Sequence, residues 1–180
     1  MNQVLLTGPV NSGKTTACDK LREIARANRW KVGGVTIEKE LDENGKVETL
    51  ILKDLMAGNR VEVGRPAVEG EELPEGWFKF HKWIFHREAF IWGNMLLSRP
   101  APMDLIIIDE VGPLEMEGTG FAPAVWGVRA PRMLYVARSG MAKHLQPNLA
   151  RGNFSLVELT EENRDDIPKK LANILELTDR

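Results

Sequence analysis

Two short stretches of the sequence have residue types and spacing suited to phosphate chemistry. The first, residues 8–15, is GPVNSGKT and matches the G-x-x-x-x-G-K-T loop. In that motif backbone N–H groups bind phosphate oxygens, the lysine reaches the β- and γ-phosphates, and the threonine hydroxyl is a ligand of Mg²⁺. An apolar run precedes the loop and a helical pattern follows it, as the motif requires. The alternative is a chance match in a glycine-bearing loop.

The second stretch, residues 105–110, is LIIIDE. A continuous apolar run of this length indicates a strand that is buried on both faces of a parallel sheet. Ligands bind beyond the carboxyl ends of such strands, which places Asp109 where Mg²⁺ and its water would lie. Glu110 follows directly and is suited to orient or deprotonate the attacking water. The alternative is that both acids merely end a strand at the solvent.

Further residues are weaker candidates for the same site. Asp109 to Gly112 fits the D-x-x-G pattern, but the sequence has no N/T-K-x-D motif downstream, so selectivity for guanine is not supported. Arg138 ends the next predicted strand and is a candidate sensor of phosphate charge, or an arginine that simply enters solvent. Glu38 ends the second strand and ranks behind Glu110 as a base.

Together these patterns predict one nucleotide site. Its catalytic groups are Lys14, Glu110 and Arg138, and its metal ligands are Thr15 and Asp109. The residues predicted to contact the nucleotide are Gly8, Pro9, Val10, Asn11, Ser12, Gly13, Lys14, Thr15, Thr16, Asp109, Glu110 and Gly112. Because proline has no N–H, the phosphate cradle must depend on the later residues of the loop.

The elements that position these residues alternate between strands and helices. Strands are predicted at 3–7, 32–37, 105–108, 133–137 and 154–159, and helices at 13–28, 88–98, 120–128 and from 167 onward. Asn44-Gly45 predicts a hairpin between residues 35–41 and 46–52. Residues 57–76 are rich in Gly, Pro and Glu and are predicted to be irregular. The alternation predicts a three-layer α/β fold with a mostly parallel sheet and an added β-hairpin.

Composition limits the class of protein. A chain of 180 residues is expected to form one domain, residues 1–180. Its net charge of −2 and the lack of a long basic run argue against nucleic acid as a partner. Cys18 is the only cysteine, so there is no internal disulfide. No apolar run reaches membrane length, and the early phosphate loop leaves no room for a signal peptide, so we expect a cytoplasmic location.

Residues 77–92 are unusually aromatic, with seven Trp and Phe side chains. One interpretation is a wall on which a base or a protein partner stacks. The other, which we favour, is a hydrophobic lid over the hairpin and the sheet edge, because large aromatic residues dominate protein cores as well as interfaces. A protein partner that binds through this segment is a further hypothesis.

Three motifs together carry a resemblance to a known family. They are the phosphate loop followed by Thr16, residues 109–115 (DEVGPLE) and residues 160–165 (TEENRD). The chain resembles the small nucleoside-triphosphatases first described from thermophiles, also called cancer-related nucleoside-triphosphatases. That family carries G-x-x-G-x-G-K-T-T, approximately D-E-I-G-x-M-E, and T-x-E-N-R-D in this order. Asn11 stands where the family usually has glycine.

The resemblance implies a RecA-like P-loop domain that hydrolyses nucleoside triphosphates slowly, with Mg²⁺ and loose base selectivity. The chain departs from the family at residues 38–41, where the family commonly has an arginine-bearing segment. Asn163 and Arg164 either contact the base or cap the last helix. We therefore predict a Mg²⁺-dependent nucleoside-triphosphatase. The alternatives are a small-molecule or nucleoside kinase, and a nucleotide-bound adaptor or switch without turnover.

Overall fold

The computed structural model of the protein describes residues 1–99, 102–149 and 152–178. Within these residues the strands are β1 (Asn2–Gly8), β2 (Val32–Leu41), β3 (Val47–Asp54), β4 (Arg60–Pro66), β5 (Trp77–Phe80), β6 (Trp83–His86), β7 (Leu105–Asp109), β8 (Arg132–Arg138) and β9 (Asn153–Glu158). The helices are α1 (Lys14–Ala27), α2 (Arg87–Leu97), α3 (Pro113–Met116), α4 (Ala122–Gly127), α5 (Ala142–Leu149) and α6 (Ile167–Ile174). None of the described helices is long and apolar enough to cross a membrane.

All the described strands join one mixed sheet, in the order β5-β6-β4-β3-β2-β7-β8-β1-β9. The half from β2 to β9 is parallel, and β3, β4, β6 and β5 form an antiparallel half. Strand β8 lies between β1 and β7, with Gly8 opposite Arg138 and Asp109 opposite Val136. The phosphate loop, Asp109 and Arg138 therefore all lie at the carboxyl edge of the parallel half.

The parallel half is buried on both faces, because successive residues of a strand point to opposite sides. Val4 and Leu6 of β1 pack with α1 and α6, whereas Leu5 belongs to the core that α2, α4 and α5 form on the other face. Strand β7 is buried along its whole length. These two cores on either side of the sheet confirm the predicted three-layer α/β architecture.

Strand β2 belongs to both halves of the sheet. Residues 32–36 pair with β7 and residues 35–41 pair with β3. Gly34 has a φ of +123°, and a Cβ there would collide with the backbone of Ile107, so only glycine allows this close pairing. The rest of the strand continues past the end of β7 and forms one wall of the region beyond Asp109.

The predicted hairpin at Asn44-Gly45 is confirmed, since β2 and β3 pair on either side of it. The prediction of an irregular stretch at 57–76 is wrong in part, because β4 lies within it. Gly64 and Pro66 suggested a loop, yet Gly64 lets β4 approach β6 closely and Pro66 ends the strand. Helices α3 and α5 were not predicted, because neither shows a clear helical periodicity in the sequence: α3 has only four residues and α5 contains Pro147.

Candidate active site

The phosphate-binding loop connects β1 to α1 at the carboxyl edge of the parallel strands. Asn11 and Gly13 both have left-handed backbone conformations, with φ of 60° and 98°. Glycine adopts this region without steric cost, and asparagine enters it more readily than most other residues. Asn11 therefore supplies the backbone shape that glycine usually supplies at this position of the motif.

Lys14 is the first residue of α1, and its side chain lies inside the loop. Its Nζ donates hydrogen bonds to the carbonyl oxygens of Gly8, at 2.9 Å, and Pro9, at 2.6 Å. Burial lowers the pKa of Lys14, while the nearby carboxylates of Glu110 and Asp109 act in the opposite direction. A cation is thereby held under the loop, where the motif requires positive charge.

Asp109, the last residue of β7, is 4% exposed and links three elements. Its Oδ2 accepts hydrogen bonds from Thr15 Oγ1 of α1, at 2.9 Å, and from Thr36 Oγ1 of β2, at 3.0 Å. Burial raises the pKa of Asp109 to about 6, and the two hydroxyl donors limit this rise. The predicted metal ligands Thr15 and Asp109 are thus in direct contact.

This pair of side chains fits Mg²⁺. The ion prefers oxygen ligands and is usually held by one or two protein groups together with phosphates and water. No cluster of three His, Cys, Asp or Glu side chains suited to a metal occurs in the part of the chain that the structure describes. A cation at Thr15 and Asp109 would therefore need phosphate oxygens to complete its shell. The loop also has a buried hydroxyl, Ser12 Oγ, without a hydrogen-bond partner among the described residues, which a phosphate oxygen would satisfy.

Glu110 and Arg138 form an ion pair across the mouth of the site. Arg138 Nε donates to Glu110 Oε1 at 2.7 Å; the Arg138 side chain is 53% exposed and the Glu110 side chain 34% exposed. Exposed ion pairs of this kind stabilise a fold by only about 0–1 kcal/mol. The pair therefore matters for the charges it sets beside the loop more than for folding.

A cleft of about 400 Å³ opens between these groups. Its lining includes residues 10–16, Asp109, Glu110 and Arg138, so most of the predicted site residues are brought together. Gly8 and Pro9 do not line the cleft and instead direct their carbonyl oxygens at Lys14. Gly112 does not line it either and faces a neighbouring apolar pocket.

Strand β2 contributes residues that sequence analysis did not assign. Thr36 donates to Asp109, and Ile37 and Lys39 line the cleft together with Glu38. The carboxylate of Glu38, the second candidate base, lies 2.7 Å from Lys53 Nζ and 3.1 Å from Arg60. A threonine in a strand has no distinctive pattern, so only the register of β2 against β7 identifies Thr36.

Glu115 is a second buried carboxylate, 3% exposed, in the short helix α3 after β7. Its Oε2 accepts the N–H of Gly112 at 2.8 Å, and its Oε1 accepts the N–H of Phe121 at 2.9 Å. Burial raises the pKa of Glu115 to about 7, while these backbone donors act in the opposite direction. Glu115 thus fastens the chain just after Glu110 to the start of α4. Its match to the family motif was the only sequence signal for it.

Asn163 and Arg164 lie away from the lining of the cleft. Asn163 Oδ1 accepts the N–H of Thr160 and its Nδ2 donates to the carbonyl of Glu158, both at 2.9 Å. These bonds hold the loop before α6, but the N-cap residue of that helix is Asp166, without a side-chain capping bond, so the Asn163 side chain does not cap it. Arg164 is exposed.

Two features define the class of P-loop nucleoside-triphosphatases. One is a phosphate-binding loop between a strand and a helix, and the other is an aspartate from a nearby parallel strand that contacts the threonine of this loop. A family model described as NTPase matches residues 3–172. The chain belongs to this nucleoside-triphosphatase family, and it is an NTP phosphohydrolase.

Curated relatives match over nearly their whole length. Nucleoside-triphosphatase THEP1 of Archaeoglobus fulgidus is 30% identical over 174 residues, covering 97% of this chain and 99% of the relative. The protein of the same name from Thermofilum pendens is 29% identical over 177 residues, covering 93% and 92%. The predicted resemblance to the thermophile-type family is confirmed.

Two solved structures share the fold. A human cancer-related nucleoside triphosphatase, solved in solution, superposes with a TM-score of 0.76 at 20% identity over the whole of both chains. The crystal structure of THEP1 from the hyperthermophile Aquifex aeolicus gives 0.67 at 21% identity, covering 97% of this chain and 99% of that one. These likenesses confirm the P-loop NTPase fold class.

Proposed function

We propose that the protein hydrolyses ATP, GTP and other nucleoside triphosphates to the diphosphate and phosphate in the cleft, slowly and with Mg²⁺. One observation carries the proposal: the 2.9 Å contact between Thr15 Oγ1 and Asp109 Oδ2. It joins the phosphate loop to the carboxylate strand, as binding of a metal–triphosphate requires. We also propose that residues 1–180 act as one domain. We propose the cytoplasm as its location, because the cytoplasm supplies nucleoside triphosphates and Mg²⁺.

The phosphates would be held by the backbone N–H groups of residues 11–15 and by Lys14. The first turn of α1 adds the positive end of its dipole. Thr15 and Asp109 would hold Mg²⁺, which when bound neutralises charge on the β- and γ-phosphates. Because backbone groups recognise phosphate and not the base, this arrangement supports loose base selectivity.

We assign to Glu110 the role of orienting and deprotonating the attacking water. Arg138 binds Oε1 of Glu110, which leaves Oε2 to orient the water and accept its proton. The water oxygen forms a bond to the γ-phosphorus while the bond from phosphorus to the β–γ bridging oxygen breaks. Arg138 would keep Glu110 in position and place positive charge near the γ-phosphate.

The decisive variant is Glu110→Gln. It should bind nucleotide as tightly as the wild type, because the loop, Lys14 and Asp109 are unchanged. Its turnover should fall on the order of 10²- to 10³-fold, since the general base is lost. Phosphate release is measured with ATP, GTP, CTP and UTP, with and without Mg²⁺. Glu117→Gln, an exposed glutamate at the end of α3, is the matched control.

Turnover in Glu110→Gln equal to that of the wild type would reject the assigned role. Phosphate-release rates that are the same with and without Mg²⁺ would contradict the proposed role of the metal. Phosphate released without any added acceptor separates hydrolysis from the kinase alternative, and tight nucleotide retention without release would favour the adaptor. Binding of a protein partner through residues 77–92 stays a prediction, and the net charge of −2 gives no support to nucleic acid.

A further inference from the structure

A second cavity of about 400 Å³ lies beside the cleft, on the side of Glu110 and Arg138. We call it the aromatic pocket, and its wall includes Phe80, Trp83, Phe85, Phe90 and Phe121. Such a volume and such a wall are typical of small-molecule sites. The pocket and the cleft share a border, because Ile37, Lys39, Glu110 and Arg138 line both.

The inner wall of the aromatic pocket is a fixed array of rings. Phe85 and Phe90 have centroids 5.6 Å apart, Phe90 and Phe121 are 5.0 Å apart, and all three are buried. Phe80 and Trp83 are half-buried at the opening, on either side of the β5–β6 turn. The pocket thus offers aromatic surface at its mouth and a packed apolar floor, which suits a planar ring.

The rim of the pocket carries excess positive charge. Lys39 and Lys82 line it, and neither has a carboxylate within 4.0 Å among the described residues. Of the acidic residues in the lining, Glu110 is paired with Arg138, and Glu115 is buried with its oxygens on backbone N–H groups. The charge that complements this rim is therefore negative.

We propose that the aromatic pocket binds a small planar aromatic molecule that carries an anionic group. The ring would lie between Phe80 and Trp83, and the anion would face Lys39 and Lys82. The proposal rests on the proposed function in one respect, namely that the γ-phosphate is the end of the triphosphate nearest Glu110. The base lies at the opposite end of the nucleotide, so the occupant of the pocket is a second molecule.

Two fluorescent probes with nearly the same rings test the proposal. 8-Anilino-1-naphthalenesulfonate is anionic, and N-phenyl-1-naphthylamine lacks the sulfonate. Each is titrated into the full chain, once without nucleotide and once with saturating Mg·ADP present. We expect one site for the anionic probe, with a Kd about fivefold lower than that of the neutral probe, as two rim charges would give.

Variants locate the site. Phe80→Ala should weaken both probes about fivefold through lost stacking. Lys82 Nζ lies 5.5 Å from the centre of the Trp83 ring, and Lys82→Gln should weaken the anionic probe about two- to threefold more than the neutral one. Lys79→Gln removes the same charge from the same hairpin outside the pocket lining and should change neither. All three variants should release phosphate at the wild-type rate. Cooperative thermal unfolding of each variant confirms that the probes report on folded protein.

Equal affinity for both probes, unchanged binding in Phe80→Ala and Lys82→Gln, or displacement of the anionic probe by Mg·ADP would each overturn the proposal. These failures are separate from failure of the proposed function. If the probe results are negative while the wild type releases phosphate and Glu110→Gln does not, only the aromatic pocket is rejected.

Discussion

The parallel and antiparallel halves of the sheet use the same backbone hydrogen bonds for different purposes. In the parallel half every strand ends at one edge, so Lys14, Asp109 and Arg138 converge although they are far apart in sequence. In the antiparallel half, burial alternates along β3, one face packs on α2, and ion pairs such as Glu38–Lys53 lie near the surface. Parallel connectivity therefore positions the reactive groups, and the antiparallel half supplies packing and a wall.

The largest expected effect lies in the parallel half. Lys14→Met should reduce turnover on the order of 10³-fold, because it removes a preorganised charge from the phosphate site. The free energy of unfolding should stay close to the wild-type value, because relief of the buried ammonium offsets the two hydrogen bonds that Nζ donates to Gly8 and Pro9. Phosphate release and urea unfolding measure the two quantities, with the exposed Lys20→Met on the same helix as control. A variant that unfolds more easily would contradict the division between the halves.

A substitution in α2, which packs on the antiparallel half, is expected to reduce stability without reducing turnover. Phe90→Ala should lower the free energy of unfolding by about 3 kcal/mol, because it opens a cavity among buried rings. Turnover per folded molecule should stay at the wild-type value. Ile91→Ala, at a side chain that is 59% exposed, should cost less than about 0.5 kcal/mol. Loss of turnover in Phe90→Ala below its unfolding transition would show that the halves are coupled.

The free energy of unfolding is expected to depend on pH through Glu115, which lies beside the parallel half of the sheet. Its pKa is raised from 4.5 to about 7 in the folded protein, so its stabilising contribution is complete below pH 4.5 and is lost as the pH rises through 7. Between pH 5 and 8 the wild type should lose about 2–3 kcal/mol of stability that Glu115→Gln does not lose. Urea unfolding at both pH values measures this, with the exposed Glu117→Gln as control. Parallel pH profiles for wild type and Glu115→Gln would contradict it.

The smallest effect is expected at the mouth of the cleft. Arg138→Gln should lower kcat about tenfold, the loss expected for one charge-assisted hydrogen bond to Glu110. It should leave the free energy of unfolding within about 0.5 kcal/mol of the wild type, because the pair is exposed. Steady-state kinetics separates kcat from KM. A change in KM alone would assign Arg138 to binding.

The sequence was sufficient for the parts of the molecule that local chemistry determines. Glycine spacing fixes the shape of the loop before Lys14, and an apolar run fixes the burial of the strand that ends at Asp109. The sequence was insufficient where a site residue contacts a side chain from another strand. Nothing along β2 shows that Thr36 will face Asp109, because that depends on the register between β2 and β7. Strand β4 was missed because its glycine and proline also occur in loops.

The aromatic segment 77–92 shows the same limit. Its composition indicated rings in a core, and Phe85 and Phe90 are indeed buried. Composition alone does not show that Phe80 and Trp83 stay at an opening, since neighbouring positions in a hairpin differ in exposure according to the strand beside them. The buried rings agree with the second interpretation, although the segment forms strands at the sheet edge and does not cover that edge as a lid. Stacking of a base or a protein partner on the segment stays a prediction.

The part of β2 that extends past the end of β7 has a consequence for both the cleft and the aromatic pocket. Thr36 pairs with Asp109 at the end of β7, and β2 extends beyond it by about 3.3 Å for each further residue. Ile37 and Lys39 in this extension line both the cleft and the aromatic pocket, so they form the partition between them. A substitution at Ile37 or Lys39 would alter both cavities at once without altering the loop or Asp109. This extension of β2 therefore couples the shapes of the two chambers, while the phosphate-binding loop and Asp109 are held by other contacts.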